Sequence, residues 1–475
     1  MSGRLKYDAI VVGSGPNGFG AAITLADSGH SVLMIESAKT VGGGMRSSEL
    51  TLPMCIHDVC SAIHPLGLAS PFFRSLELAP HGLEWIHSPA PLAHPLDDGT
   101  AVMLETSIDA TMDNLGQDSQ SYGKLMKPMV DNWDNLLEEV LSPLHFPRHP
   151  LVLSRFGILA SQSAEHLVRS QFKTIRAKAL FAGIAGHSTM PMYRPGSAAF
   201  GLLLGAAGHT GGWPIVKGGS QKIADALKQY FISREGEIRT GVEVRSLNEL
   251  PEARAVFLDV TPRQVAIILR KQLSNSYRQK LLKHHYGPGI FKMDWVLDGP
   301  IPWKASDCLK AATVHIGGIC EEIAEAENSI WQDKHPEKPL VLLAQQSLFD
   351  STRAPSGKQT VWAYCHVPNG STFDMSGRIE AQIERFAPGF RDRILARSIM
   401  NTEAMEADNP NYIGGNINGG VQNPFRLFLK PMGKWRPYTT PVKGVYVCSS
   451  SMPPGAGVHG MCGYHAARVA LREMF

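Results

Sequence analysis

The sequence predicts an α/β fold in which a mostly parallel sheet with flanking helices is joined to a discontinuous α+β domain. Near the start of the chain, an apolar and β-branched run over residues 7–12 leads into a glycine-rich turn and a helical segment. A similar strand, turn and helix close the chain over residues 444–475. Between about 270 and 435, stretches such as QTVWAYCHVP are typical of strands in a mostly antiparallel sheet.

The composition is that of a folded protein that can enclose a sizeable ligand. The chain has 475 residues, of which 43% are hydrophobic and 19% are charged, and this length suggests two or three domains. A net charge of +3, without a basic stretch interleaved with aromatic residues, argues against a nucleic-acid partner. The seven cysteines are scattered, which indicates a reducing compartment rather than a disulfide framework.

Hydropathy gives an expectation about location. The sequence contains no apolar run of the roughly 18 residues that a membrane span needs, and no apolar signal region follows MSGRLKYD. We therefore expect a cytoplasmic protein, with peripheral membrane contact and a homo-oligomer left open. We predict no metal site.

Three glycines after the first strand have the G-x-G-x-x-G spacing of a dinucleotide-binding turn. Gly13 permits the tight turn, Gly15 lets a pyrophosphate approach the backbone, and Gly18 lets the helix pack closely on the strand. The helix that follows begins with Pro16 and Asn17, and its N-terminus attracts phosphate. We predict that all five residues contact a cofactor.

The next strand, over residues 31–35, ends at an acidic residue. Glu36 follows the glycine turn by about 20 residues, where a carboxylate accepts hydrogen bonds from a ribose 2′-hydroxyl. Its charge disfavours the 2′-phosphate of NADP. Glu36 and the adjacent Ser37 are therefore predicted to contact the cofactor.

A second glycine cluster, Gly42 to Gly44, is followed by Met45 and Arg46. At this spacing from the acidic residue, the segment resembles flavin enzymes of the phytoene-desaturase and monoamine-oxidase superfamily. The resemblance implies a Rossmann-like domain that binds FAD rather than NAD. It also implies that Gly43, Gly44 and Met45 line the flavin, with Arg46 as a fixed cation near the pyrophosphate or the isoalloxazine.

Cys55 and Cys60 have the C-x-x-x-x-C spacing of flavin disulfide reductases. In that class, however, the first cysteine follows the glycine doublet closely and a second nucleotide-binding unit lies in mid-chain. We find no such unit, because the glycine-rich stretch over 201–212 lacks a preceding strand and a following acid. Two packed thiols are the favoured interpretation.

The stretch HDVCSAIHPLG, over residues 57–67, resembles a segment of the phytoene-desaturase-like branch and its subgroup of pyridine nucleotide-disulfide oxidoreductase domain proteins. The resemblance places His57, Asp58 and His64 near the flavin. We predict His57 and Asp58 as catalytic groups that receive a proton, against the alternative that such side chains only bond to the backbone.

The two predicted domains are interleaved along the chain. Residues 1–75, 213–269 and 436–475 are assigned to the FAD-binding domain, and 76–212 with 270–435 to the substrate-binding domain. Periodicity in the 76–212 insertion indicates helices. Two apolar runs there, 177–186 and 196–208, are too short to span a membrane. They suit core packing, a ligand tunnel or lipid contact.

Three later segments carry further predicted cofactor contacts. By the resemblance, the backbone of a strand ending near Val244 contacts the adenine, and Thr261 lies in the turn after the strand that begins at 253. The glycines of NPNYIGGNINGG, over residues 409–420, suit either close approach to a ligand or a tight turn.

The C-terminal glycines, at 455, 457 and 460, repeat the G-x-G-x-x-G spacing, but the helix predicted from about Val458 ends the chain. No second dinucleotide site can follow. In the family that this segment resembles, the helix N-terminus points at the flavin pyrimidine edge and stabilises negative charge on the reduced ring. Ser450, Gly457, Val458 and His459 are predicted cofactor contacts, and His459 is also a catalytic candidate.

Together, these motifs predict an FAD-dependent oxidoreductase that transfers a hydride between flavin N5 and a hydrophobic small-molecule substrate. The resemblance and the apolar insertion favour an isoprenoid or polyene (carotenoid-like) chain and a desaturase, isomerase or saturase reaction. The alternatives are an amine or amino-acid oxidase on the same scaffold, and a flavoprotein with a mainly structural or regulatory role.

Overall fold

The computed structural model describes residues 6–423 and 436–475. Its strands, in chain order, are β1 Tyr7–Val12, β2 Val32–Ile35, β3 Ser47–Ser48, β4 His57–Asp58, β5 Trp85–Ile86, β6 Ala90–Pro95, β7 Ala101–Leu104, β8 Ile215–Val216, β9 Glu237–Arg239, β10 Ala253–Leu258, β11 Gly289–Leu297, β12 Ala311–Ile316, β13 Val341–Ala344, β14 Gln359–Val367, β15 Ile394–Met400 and β16 Val445–Val447.

The helices, in chain order, are α1 Pro16–Asp27, α2 Pro65–Ala69, α3 Pro71–Arg74, α4 Ile108–Asn114, α5 Ser119–Val130, α6 Trp133–Val140, α7 Pro150–Ala160, α8 Ala164–Gln171, α9 Ile175–Ala185, α10 Ala198–Thr210, α11 Gln221–Ser233, α12 Pro262–Ile268, α13 Asn275–Leu282, α14 Cys320–Ile330, α15 Ser376–Phe386, α16 Thr402–Asp408 and α17 Met461–Glu473. None of them, within the described ranges, is long and apolar enough to cross a membrane.

A five-stranded parallel sheet has the order β16-β10-β1-β2-β9. Its central strand β1 is almost wholly buried, as the apolar, β-branched run over 7–12 predicts. The predicted α/β fold with a parallel sheet is therefore confirmed. The strand expected to end near Val244 is shorter and ends at Arg239, because the chain turns at Gly241, where φ is +72°.

The two ends of the chain meet on this sheet. The C-terminal strand β16 extends it beside β10, and α17 crosses α1 at a point of very close approach. A Cβ built on Gly463 of α17 would lie 1.7 Å from the carbonyl oxygen of Asn17 in α1. The helix α17 begins at Met461 rather than near Val458, because Gly460 takes a left-handed conformation with φ of +71°.

A second sheet has seven strands in the order β15-β11-β14-β13-β12-β6-β7. All of its neighbouring pairs are antiparallel except β12 and β6, so the predicted mostly antiparallel sheet is confirmed. The hairpin β6–β7 is a correction, because it comes from the insertion that we expected to be helical. The turn that joins it contains Asp98 and Gly99, with φ of +81° at the glycine, which is a hairpin signal.

The two faces of this sheet differ in chemistry. One face is apolar and packs against α15, with Phe291, Met293 and Trp295 of β11 in a buried cluster. The opposite face carries polar and aromatic side chains at the alternate positions of neighbouring strands. The residues of this polar face are Lys292 and Asp294 of β11, Trp362, Tyr364 and His366 of β14, and Thr313 and His315 of β12.

The apolar runs of the insertion form α9 and α10, which pack against each other. A Cβ built on Gly201 of α10 would lie 2.7 Å from the ring of Phe181 in α9. Phe200 and Leu204 of α10 also line a cavity. Core packing and cavity lining are thus both observed for these helices. The predicted domain boundaries stay a prediction, and residues 424–435 of the second domain lie outside the described residues.

Candidate active site

A cavity of about 400 Å³ is lined by residues from the glycine-rich turns of the parallel sheet and from the polar face of the seven-stranded sheet. The predicted cofactor contacts that line it are Gly13, Gly15, Pro16, Asn17, Glu36, Ser37, Gly43, Gly44, Arg46, Val244, Thr261, Ser450, Gly457 and Val458. Three others, Gly18, Met45 and His459, are not among the described lining residues and lie behind the wall.

The two glycine-rich turns near the start of the chain touch each other. Gly13 has a φ of +101°, and a Cβ on Gly18 would lie 2.2 Å from the Gly13 carbonyl oxygen, so α1 sits directly on the turn. A Cβ on Gly43 would lie 3.0 Å from the Cα of Gly15. At these glycines no side chain projects from the cavity wall, so a ligand can approach the backbone.

The Glu36 carboxylate is held in one orientation by its own neighbours. Its Oε2 accepts hydrogen bonds from the backbone N–H of Ser14 (2.9 Å) and the Ser14 hydroxyl (2.6 Å). Its Oε1 accepts from the backbone N–H of Ala38 (2.8 Å) and the Ser37 hydroxyl (3.1 Å). This carboxylate is fixed in the cavity wall before any ligand arrives.

A buried carboxyl group that we did not predict lies beside the first turn. Asp259 follows β10 and lines the cavity, and its Oδ2 accepts a hydrogen bond from the backbone N–H of Gly18 at 2.8 Å. It therefore occupies one N–H group at the N-terminus of α1. Burial, together with the nearby charge of Glu36, raises the pKa of Asp259 to about 7. Its position at the C-terminal end of a parallel strand was the available sequence signal.

The predicted cation Arg46 is paired. Its Nη2 donates to the carboxylate of Asp408, and its Nε donates to the Gly43 carbonyl oxygen at 3.0 Å. Asp408 also lines the cavity, at the start of the glycine-rich loop over 409–420. Residues of that loop, including Asn411 and Tyr412, line the cavity as well, so the loop approaches the ligand space and also turns sharply at Gly414.

The predicted catalytic residues His57 and Asp58 lie in a buried polar network next to the cavity and not among its described lining residues. Asp58 accepts hydrogen bonds from Arg353 (3.0 Å) and from the backbone N–H of Ser220 (2.8 Å). Burial alone would raise the pKa of Asp58, but these partners outweigh it and hold the pKa below its usual value. Burial and the nearby Lys292 lower the pKa of His57 to about 3.

His64, from the same segment, does line the cavity. Its Nε2 is 2.8 Å from the Ser220 hydroxyl, which itself donates to the carbonyl oxygen of Ser61. The Ser220 hydroxyl proton is thus already used, so His64 must donate through Nε2 and keeps a lone pair on Nδ1. That Nδ1 is buried without a partner, and burial lowers the pKa of His64 to about 4.

His459 serves the helix that follows it. Its Nδ1 accepts a hydrogen bond from the backbone N–H of Met461, the first residue of α17, at 3.0 Å. Burial lowers its pKa to about 4, so the ring is neutral near pH 7. The structure therefore places His459 as a cap of α17, beside the cavity residue Gly457.

The polar face of the seven-stranded sheet contributes groups that we did not predict. Trp362 and Tyr364 line the cavity with their rings 5.1 Å apart at an angle of 79°. Lys292, opposite Tyr364 in the sheet, is fully buried and donates to Asp294. Burial raises the pKa of Asp294 to about 6 despite this contact. A lysine and an aspartate at alternate positions of an otherwise apolar strand were the sequence signal.

Neither cysteine of the C-x-x-x-x-C pair is in a disulfide. Cys55 and Cys60 are both free and buried, and burial raises the pKa of each thiol. Cys60 lines the cavity near Tyr412. Protonated thiols are poor nucleophiles, which agrees with the interpretation of packed thiols.

Comparison with known proteins shows which flavin enzymes the chain is similar to. The model of the FAD dependent oxidoreductase family matches residues 8–90. The chain is 25% identical to mouse (Mus musculus) pyridine nucleotide-disulfide oxidoreductase domain-containing protein 2, over 100% of this chain and 95% of that protein. It is 26% identical to the hydroxyneurosporene desaturase of Cereibacter sphaeroides, over 52% of this chain and 55% of that enzyme.

The chain is thus similar to FAD-dependent oxidoreductases of the amine oxidase and phytoene desaturase-like superfamily. Solved structures of the same fold include an oxidoreductase from Methanosarcina mazei, with a TM-score of 0.66 at 15% identity over 98% of this chain and 99% of the other. Cyclohexylamine oxidase from Brevibacterium oxydans has a TM-score of 0.60 at 14% identity, with the same coverage. FAD is the cofactor that this similarity implies.

The cavity wall fits FAD. The glycines at 13, 15, 43 and 44 all line the cavity, and bare backbone lets a diphosphate approach closely. Glu36 presents a fixed carboxylate for a ribose. At the other end of the chain, Gly457 with φ of +140° brings bare backbone to the same cavity.

Proposed function

We propose that this FAD-dependent oxidoreductase acts on an apolar, isoprenoid-like or polyene substrate in a desaturase, isomerase or saturase reaction. The observation that carries the proposal is the composition of the cavity wall away from the FAD-binding turns. The described lining residues from the insertion, the adjoining Trp213 and the seven-stranded sheet include no carboxylate, lysine or arginine; they are His187, Thr189, Phe200, Leu204, Trp213, Thr313, Leu342, Leu343, Trp362 and Tyr364.

Such a wall binds substrate mainly through burial, which is worth about 25 cal/mol for each Å² of apolar surface. It also excludes water from the reacting bond. Bound FAD supplies the hydride chemistry, so the protein has only to position the substrate and accept a second proton. The similarity to hydroxyneurosporene desaturase, which aligns with about half of this chain, supports a polyene substrate.

We propose that His64 accepts the proton that the substrate loses. The side chain lines the cavity, is neutral, and keeps an unpartnered lone pair on Nδ1 because Nε2 is bonded to Ser220. In a desaturation, this nitrogen would accept the proton that leaves the carbon next to the oxidised one, while bound FAD would supply the oxidation. His57 and Asp58, the earlier candidates, would act only through the buried network behind it.

His64→Phe is expected to lower the rate of anaerobic flavin reduction by about 100-fold, the usual contribution of a general base. The control is His166→Phe, at an exposed position of α8, which should keep the wild-type rate. Both variants should purify with a full complement of FAD, measured from the flavin absorbance. An unchanged rate of flavin reduction in His64→Phe would show that His64 is not the proton acceptor.

The reaction class is tested by anaerobic incubation of the holoenzyme with a panel of carotenoids, retinoids and lipid alkenes, followed by product analysis. We expect bleaching of the flavin and a product that differs by two hydrogens or in double-bond position. Flavin that stays oxidised with every donor, together with a stable protein partner in a pull-down, would instead support a structural or regulatory flavoprotein.

An amine or amino-acid oxidase is the second candidate, and the Trp362–Tyr364 pair supports it. Two rings 5.1 Å apart in the cavity wall can hold a cation through their π faces. Release of hydrogen peroxide with putrescine or cyclohexylamine, but not with alkenes, would favour this candidate over the first.

We also propose peripheral membrane contact through an apolar surface on the insertion. Phe146 and Leu151 are 94% and 84% exposed, and Leu144 and Ile158 are exposed beside them along α7 and the preceding loop. Arg155, which is exposed on the same helix, provides positive charge for an anionic lipid surface. The inner side of α7 packs on α10, which lines the cavity, so this surface lies near a route for a membrane-dissolved substrate.

Phe146→Asp is expected to reduce co-sedimentation with vesicles of mixed phosphatidylcholine and phosphatidylserine by severalfold, because it removes an apolar contact and adds a like charge. The matched control is Phe373→Asp, a phenylalanine that is 44% exposed on another surface. Equal binding of the wild type and both variants would contradict the assignment of this surface.

A further inference from the structure

Three histidines form a chain at the end of the cavity that is lined by the insertion. The Nε2 atoms of His187 and His315 are 3.0 Å apart, and the rings of both lie 5.6 Å from the ring of Trp213. His315 and His94 are buried, whereas His187 is partly exposed and lines the cavity. Burial lowers the pKa values of His187 to about 3 and His94 to about 4. All three rings are therefore neutral near pH 7, since burial also holds the pKa of His315 well below its usual value.

The first ring of the chain has a fixed proton position. The Nε2 of His94 lies 2.8 Å from the carbonyl oxygen of Gly318, which can only accept, so His94 carries its proton on Nε2. Its Nδ1 is then a lone pair, and this atom has no hydrogen-bond partner. A Cβ built on Gly183 would lie 2.9 Å from His94 Nδ1 and 3.2 Å from His315 Nδ1, so the two nitrogens face the same small space.

The proton positions of the other two rings follow from this one. If His315 kept its proton on Nε2, two lone pairs would face each other in that buried space, which is unfavourable. A proton on His315 Nδ1 instead faces the lone pair of His94 Nδ1 across this space, which is electrostatically favourable although no hydrogen bond joins the two nitrogens. His315 Nε2 is then the acceptor in the contact with His187, so His187 donates through Nε2 and has its lone pair on Nδ1.

His187 therefore presents a hydrogen-bond acceptor to the cavity. Because its Nε2 is turned toward His315, Nδ1 is the ring nitrogen left for a ligand. Two groups that can donate lie in the same wall without partners, the indole N–H of Trp362 and the hydroxyl of Thr313, and both side chains are more than nine-tenths buried. They stand in one row of the sheet with the small Ala344 between them, which leaves space there for a ligand atom.

We infer that this end of the cavity binds the hydroxyl group of an otherwise apolar substrate, with its O–H donating to His187 Nδ1. A hydroxyl group can also accept from Trp362 or Thr313, so it satisfies both kinds of group in the wall. A plain hydrocarbon would leave these polar atoms unpaired, and a carbonyl or an ether has no proton for His187. An ammonium group would be buried in the absence of a carboxylate among the described lining residues at this end. The inference rests on the proposed function, because it names the class of apolar substrate.

The test uses the oxidised holoprotein and three probes with the same number of heavy atoms: 1-decanol, methyl nonyl ether and decylamine. Affinity is measured by isothermal titration calorimetry and by the change in flavin absorbance. We expect the alcohol to bind about tenfold more tightly than the ether, since a hydrogen bond at a buried site is worth about that factor. Equal affinities for alcohol and ether, or a preference for the amine, would overturn the inference without any variant.

The variant His187→Phe tests whether His187 causes the preference for the alcohol. It should lower the affinity for 1-decanol to that for the ether and leave the affinity for the ether unchanged. The exposed control His166→Phe should keep the wild-type preference. A preference that survives in His187→Phe would overturn the role of this residue. Thr313→Val gives a second, independent variant: because both probe oxygens can accept from the Thr313 hydroxyl, it is expected to weaken the alcohol and the ether by a similar factor and to keep the alcohol preference. A loss of the alcohol preference in this variant would contradict the role of His187 as its source.

The binding test separates this inference from the proposed reaction. The binding measurement requires no turnover. If the protein prefers the alcohol but no substrate reduces its flavin, the hydroxyl site is supported and the proposed reaction is contradicted. Flavin reduction by an unsubstituted polyene, together with equal binding of alcohol and ether, would support the proposed reaction and contradict the hydroxyl site.

Discussion

Glu36 shows how a single side chain is prepared for a ligand. One carboxylate oxygen accepts a hydrogen bond from the backbone N–H of Ser14 and the other from that of Ala38. The side chain therefore loses little conformational entropy when a ribose hydroxyl binds. Glu36 lines the cavity. It could be proposed as a cofactor contact from the sequence because the distance from a glycine turn to the end of the next strand is set by local geometry.

Glu36→Gln is expected to raise the Kd for FAD by about 30-fold, because an amide N–H₂ would face backbone N–H donors and a charged hydrogen bond is worth about 2 kcal/mol. The control is Glu243→Gln, which also lies in the cavity lining but is paired with the exposed Arg245. Fluorescence titration of the apo-protein with FAD measures both. Equal effects of the two substitutions would show that Glu36 has no specific role.

Asp259 makes stability depend on pH. Its pKa is raised to about 7 from 3.8, so the folded protein favours the neutral carboxyl. The stabilisation is complete below the unfolded pKa and is lost as the pH rises through about 7. We therefore expect the free energy of unfolding of the wild type to fall from about pH 4 to about pH 7 and to level off above that pH.

Asp259→Asn isolates this effect, because its amide keeps the shape of the side chain and does not titrate. The difference between wild type and variant in urea denaturation should change across that pH range. A difference that stays constant with pH would show that Asp259 is already ionised in the folded protein.

Among the secondary-structure elements, those with local signals were predicted best. The strand β1 and helix α1 follow from an apolar run, three glycines and an N-terminal proline. The helix α17 begins later than expected, because the left-handed conformation of Gly460 cannot be inferred from spacing. The hairpin β6–β7 was missed, since prolines in PLAHPL weaken the strand pattern and the pairing of β6 with β12 joins residues more than 200 positions apart.

The crossing of α1 and α17 sets a strict limit on side-chain size. Gly463→Ala would place a Cβ 1.7 Å from the Asn17 carbonyl oxygen and 2.6 Å from the Ala21 nitrogen, so the helices must separate. We expect a loss of about 3 kcal/mol in the free energy of unfolding, and weaker FAD binding.

Gly157→Ala, in the middle of α7, is the matched control. A Cβ there meets nothing within 4 Å, so alanine should be neutral or stabilise by up to about 1 kcal/mol through helix propensity. Chemical denaturation compares the two variants. Equal stabilities would contradict the close approach of the two helices.

Across the whole molecule, the seven-stranded sheet separates two environments. Its apolar face forms a core with α15, while its polar face meets the cavity that the parallel sheet lines from the other side. The FAD-binding part of the candidate site was predictable, because its motifs are short and local. The positions of His187, Trp362 and Lys292 were not predictable, because they are set by strand register and by the packing of distant elements. Polar residues at alternate positions of β11 were the only local sign.

The meeting of the two chain ends at one cavity is the central claim, and titration of the purified apo-protein with FAD tests it most directly. We expect saturation at a single FAD per chain, quenching of flavin fluorescence, and an affinity that Glu36→Gln at one end and Gly463→Ala at the other both weaken. The account would be contradicted by a protein that remains colourless when FAD is in excess. It would also be contradicted if Gly463→Ala, in the C-terminal helix, bound FAD with the wild-type affinity.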